Sequence, residues 1–142
     1  MTYLLDTCVI SKLRKKGTEE GQKLREWIAK HDSKSYFISV LTIGELQFGI
    51  AKLRESEKVK NILQSWLLGE LIPSFEHRIL PIDQHISMIW ANMSGAAVQK
   101  GIVLPMSDAL IAATAIKHDL IVVTQNGKHF RETGARLFDP LL

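Results

Sequence analysis

Two short runs of uninterrupted apolar residues constrain this chain most: Tyr3-Leu4-Leu5 near the start and Leu120-Ile121-Val122-Val123 near the end. Neither alternates polar with apolar, so each reads as a strand buried on both faces. A strand of that kind needs helices above and below it. The intervening sequence supplies them. Val9, Ile10 and Leu13 share one side of a predicted helix from Thr7 to Leu13, with Thr7 as its cap and Gly17 beyond its end. Leu24, Trp27 and Ile28 mark a second helix over Glu19 to His31. Tyr36 to Leu41 is rich in β-formers and reads as another strand.

From Thr42 the period lengthens. Ile43, Leu46, Ile50 and Leu53 recur at helical spacing. Glu57 to Ile72 continues helically up to Pro73, Arg78 to Ile82 reads as a short strand, and Asp83 caps a helix closed by Gly101. An alanine-rich helix spans Ser107 to Asp119, and Arg136 to Phe138 is a candidate edge strand. Strands alternating with helices predict an α/β fold: a three-layer α/β/α sandwich on a mainly parallel sheet. At 142 residues the chain is expected to form a single domain.

Composition excludes several classes. The lone Cys8 cannot form an internal bridge, which fits a reducing compartment. The N-terminus lacks the basic region of an export signal, and no apolar stretch approaches the ~20 residues that cross a bilayer. A cytoplasmic protein with no membrane partner is expected. The net charge of +3 leans mildly towards polyanions. No Gly-rich phosphate loop or dinucleotide fingerprint is present, which disfavours nucleotide phosphoryl transfer and hydride-transfer chemistry.

Three acids lie in apolar surroundings: Asp6 at the end of the first strand, Glu45 in the helix after the second, and Asp108 at the start of the alanine-rich helix. Ligand sites in open α/β sheets form beyond the carboxyl ends of the strands, where this topology can gather all three. Clustered carboxylates repel unless a cation joins them, and hard oxygen donors suit Mg²⁺ or Mn²⁺. Each acid alone also has a plain structural reading, as a cap, a solvated helix residue or a partner of a helix dipole. Their combination is what points to a metal site. Lys12, Arg14, Lys15 and Lys16 follow Asp6, and Lys52, Arg54, Lys58 and Lys60 follow Glu45, which places basic groups suited to phosphate near the acids.

Four blocks, taken in order, resemble the PIN-domain family, with the nearest likeness to VapC-type toxins and their FitB-like relatives. They are Leu4-Leu5-Asp6-Thr7, Ser39 to Leu46, Asp108 to Ala115, and Val122-Val123-Thr124-Gln125-Asn126. The resemblance implies a Mg²⁺- or Mn²⁺-dependent ribonuclease. Asp6, Glu45 and Asp108 would be its catalytic acids, with Asp6 and Asp108 as metal ligands. Thr7, Thr124 and Asn126 would support the site, and Arg14, Lys12 and His129 would contact substrate. It also implies RNA as substrate, a homodimer, and a cognate antitoxin as partner. Many relatives carry a fourth acid where Asn126 or His129 stands here, and this chain has none between Thr124 and Phe130. That departure weakens the expectation of a second metal and leaves an alternative: a PIN-like module that binds RNA or protein without cutting.

Overall fold

The computed structural model describes all 142 residues. Five strands form one sheet: β1 (Tyr3–Leu5), β2 (Tyr36–Ser39), β3 (Ile79–Leu80), β4 (Ile121–Val123) and β5 (Leu137–Phe138). They lie in the order β3-β2-β1-β4-β5, and all four pairings are parallel. The connections leave β1 towards β2 on one side and return to β4 on the other. The strand order therefore reverses between β1 and β4, and the crevice beyond their carboxyl ends is where an open parallel sheet holds its ligand.

The helices are α1 (Thr7–Arg14), α2 (Glu19–Ala29), α3 (Val40–Ala51), α4 (Glu57–Trp66), a short α5 (Ile72–Ser74), α6 (Gln84–Gln99), α7 (Met106–His118) and α8 (Gly127–Phe130). Alternation along the strands divides the core into layers. Tyr3, Leu5, Ile121 and Val123 pack with Val9, Ile10, Leu24 and Ile50 on one face. Leu4 and Val122 point the other way, against Ile111, Ala112, Ala115 and Phe130. Ala109, Ala112 and Ala113 are fully buried, and their small side chains let α7 press onto the sheet. The three-layer expectation is met in full.

Several boundaries differ from the sequence expectation, each for a local reason. Strand β2 stops at Ser39 rather than Leu41, because the Ser39 hydroxyl accepts the Leu41 N–H and starts α3 at Val40. Helix α1 is capped by Asp6, whose carboxylate accepts the Thr7 N–H, so Thr7 is the first helical residue and not the cap. Pro73 does not end the helix from Glu57. A π turn over Leu67–Leu71 leads into α5, and Pro73 sits in that helix's first turn, where its missing N–H costs nothing. The cap by Asp83 and the stop at Gly101 (φ +78°) follow the sequence expectation.

Candidate acidic active site at the strand crevice

Asp6 is the fixed point of the site. It ends β1, is only 4% exposed, and its N–H is held by the carbonyl of Val123 at 3.0 Å. Its Oδ1 accepts the Thr7 N–H at 2.9 Å. Its Oδ2 accepts the Thr124 hydroxyl at 2.8 Å and the Cys8 thiol at 3.4 Å. Thr124, directly after β4, also accepts the Asn126 N–H at 3.0 Å. The adjacent ends of β1 and β4 are thereby stitched together through side chains.

Glu45 reaches the same region from the second turn of α3. Its Oε1 accepts the Thr7 hydroxyl at 2.8 Å, and Thr7 Oγ1 lies 3.0 Å from Thr42 Oγ1. Partial desolvation pushes the Glu45 carboxyl above its ordinary range; the Thr7 hydrogen bond opposes this, while the charges of Asp6 and Asp108 add to it. Asp108, in the first turn of α7, is raised by partial burial and by Asp6, and His129 opposes that rise. His129 Nδ1 lies 3.4 Å from Asp108 Oδ2. The fold thus gathers Asp6, Thr7, Glu45, Asp108, Thr124 and His129 into one electrostatically coupled neighbourhood.

Lys52 lines a cavity with Thr7 and Glu45, while the basic residues of α1 fall elsewhere. Lys12 pairs with Glu20 at 2.8 Å, and the two line a cavity with Gln125 and Asn126. Arg14 lies over the Trp66 ring, 5.7 Å from its centroid, in a groove shared with Lys15, Lys16 and Lys58. None of the three acids lines that groove. Trp27 and Trp66 pack against the core.

Two residues of the site carried no role in the sequence reading. Cys8 touches Asp6 and Thr124, and its thiol is pushed up to about 11, chiefly by burial and then by the Asp6 charge. Thr42 is fully buried behind Thr7. Their signals were their offsets: Cys8 lies two residues after Asp6, and Thr42 stands one helical turn before Glu45.

The donor set fits a hard divalent ion. Three carboxylates that repel one another lie beside a single imidazole, and Lys52, which lines a cavity with Glu45, makes no salt bridge to it. No three His, Cys, Asp or Glu side chains converge closely enough to enclose an ion unaided. An ion here would therefore be held by one or two carboxylates, with water completing its shell.

A parallel sheet between helices, with coupled acids at its topological switch point, makes this an open α/β domain with an acidic site. The PIN-domain family model matches residues 3–135, and the chain belongs to that family. Among its relatives, VapC ribonuclease Y4jK of Sinorhizobium fredii is 33% identical over 137 residues, spanning 96% of each chain. Toxin FitB of Neisseria gonorrhoeae is 34% identical over 137 residues, again with 96% of each chain covered. The crystal structure of FitAcB from Neisseria gonorrhoeae superposes with a TM-score of 0.89 at 31% identity, covering 99% of both chains.

Proposed function

We propose that this protein is a metal-dependent ribonuclease and the toxin of a toxin–antitoxin pair. The observation that carries this reading is Asp6: a buried carboxylate clamped through both oxygens at the β1–β4 crevice and coupled to Glu45 and Asp108. Relatives named as a VapC ribonuclease and a toxin, each matched over nearly its whole length, support the same activity.

Asp6 and Asp108 would hold Mg²⁺ or Mn²⁺. When bound, such an ion activates water and offsets the charge that develops on a phosphodiester. The chain's own residues do the rest. Thr124 and the Thr7 N–H fix Asp6, so its carboxylate keeps one orientation. Glu45, with one oxygen held by Thr7, offers the other to the attacking water and takes its proton as the P–O bond forms; the leaving oxygen is protonated from solvent. His129 borders Asp108 and is the basic group best placed for a substrate phosphate. Asn126 holds Thr124 through its backbone N–H. Lys12, in the cavity with Gln125 and Asn126, and Arg14, in a separate groove, are basic groups for flanking phosphates. We place the protein in the cytoplasm, as a homodimer restrained by a cognate antitoxin. No helix is long and apolar enough to cross a membrane.

The test is cleavage of total RNA by purified protein with Mg²⁺ or Mn²⁺, against chelator controls. Cleavage should vanish with chelator and in Asp6→Asn and Asp108→Asn, and induced expression should be toxic for the wild type alone. The missing fourth acid favours one rival, a binding module without catalysis. RNA binding with no cleavage under either metal would establish the rival.

A further inference from the structure

The Thr42 side chain has one hydrogen-bond partner, the Thr7 hydroxyl at 3.0 Å, and it is 0% exposed. Distance alone leaves the donor in that pair open. Proton inventory decides it. Thr7 Oγ1 carries a single proton and also lies 2.8 Å from Glu45 Oε1. An ionised carboxylate only accepts, so the Thr7 proton goes to Glu45. Thr42 must then donate to Thr7. The result is a directed chain, Thr42 to Thr7 to Glu45, that leaves α3, crosses to the first residue of α1 and returns to α3 three residues further on.

A hydroxyl that accepts one hydrogen bond becomes a better donor in the next, and inside a protein the effect is cooperative. A buried hydroxyl with a single outlet has no competing water. Thr7 without Thr42 would lose its fixed acceptance and could turn its proton elsewhere. We infer that Thr42 is a positioning residue: it aims the Glu45 carboxylate by fixing the direction of the Thr7 hydroxyl. This rests on the ribonuclease reading for its catalytic consequence, though the hydrogen-bond chain itself does not depend on that reading.

The test uses Thr42→Val, nearly isosteric but without the donor, and Thr42→Ser, which keeps it. With RNA and Mn²⁺, Thr42→Val should lower kcat up to about tenfold, the upper end expected for one neutral hydrogen bond, with KM within about twofold. Thr42→Ser should restore most of the rate. The decisive arm is a double-mutant cycle: in a Thr7→Val background, Thr42→Val should cost nothing further, because its route to Glu45 is already cut. A merely structural role would add its full cost there. An arm without catalysis follows the Glu45 carboxyl by ¹³C NMR in the metal-free protein, where Thr7→Val should raise its titration midpoint and Thr42→Val should raise it in the same direction by less, with no further effect in the Thr7→Val background. Independent, additive losses, or a Glu45 titration indifferent to Thr42, would overturn the inference. Wild-type protein that cleaves no RNA would overturn the ribonuclease reading instead, and the NMR arm would still decide Thr42.

Discussion

The Thr124 hydroxyl donates to Asp6 Oδ2 at 2.8 Å while accepting the Asn126 N–H at 3.0 Å. Thr124 is only 2% exposed, so neither bond has water as a substitute. Thr124→Val removes both while keeping the shape. It should cost about 1.5–3 kcal/mol of stability, typical for a buried hydrogen bond to a charged group, and should cut RNA cleavage at least tenfold. Thr124→Ser should retain most of both. Urea unfolding and single-substrate kinetics measure the two effects. A stable Thr124→Val variant with full activity would show that Asp6 needs no such support.

The carboxylate cluster makes stability depend on pH. Glu45 and Asp108 are both raised above their ordinary range, so the native state binds protons more readily than the unfolded chain. The contribution of these two carboxyls to the stability of the metal-free protein should therefore be most favourable below the unfolded carboxylate range near pH 4, fall as pH rises through the raised native values, and stay lowered above them. Glu45→Gln keeps an acceptor for Thr7 and removes one charge. At pH 7 it should stabilise the metal-free protein, by less than about 1 kcal/mol because Glu45 is only partly buried and water screens it. The gain should disappear at pH 3 and shrink with saturating Mg²⁺. Thermal melts across pH, with and without metal, check all three. A destabilised Glu45→Gln variant at pH 7 would contradict the repulsion.

The layers and the acid trio were legible in the sequence because they follow from period and position. Runs apolar throughout can only be doubly covered strands, and acids at the ends of strands or starts of helices converge at one sheet edge. The boundaries were less legible. Whether Val40 continues β2 or opens α3 depends on the Ser39 hydroxyl finding the Leu41 N–H, which no periodicity encodes. The π turn at Leu67–Leu71 likewise left no mark, since its residues suit an α-helix equally well. Cys8 and Thr42 were invisible for another reason. Their roles arise from contacts with Asp6, Thr124 and Thr7 that only the folded chain creates.

The basic residues on α1 divide by geometry. Lys12 is tied to Glu20, and Arg14 is stacked on Trp66. If both contact single-stranded RNA, each removal should lower the salt slope of log Kd by about 0.7. Binding is measured with Asp6→Asn protein, so that cleavage does not intrude. Lys12→Ala should leave folding stability nearly unchanged, because its pair with Glu20 is exposed to solvent. An unchanged slope for Arg14→Ala would assign its groove with Lys15, Lys16 and Lys58 to something other than the RNA backbone.

His129 stands 3.4 Å from Asp108 where an acid would complete a fourth carboxylate. In the metal-free protein its imidazole is the one group that lowers the Asp108 carboxyl. His129→Asp exchanges that relief for repulsion. Three consequences follow from the sign of the change. The Asp108 carboxyl should rise further, the metal-free protein should melt at a lower temperature, and divalent affinity should increase because a cation then neutralises one more charge. Calorimetric titration with Mn²⁺ should give a Kd lower by about tenfold, which corresponds to about 1.4 kcal/mol. Melting temperature should recover in saturating metal by more than it does for the wild type, because a ligand that binds only the native state stabilises it in proportion to its affinity. If His129→Asp leaves both the metal-free melting temperature and the Mn²⁺ affinity unchanged, His129 lies outside the metal's field and its contact with Asp108 serves only α8.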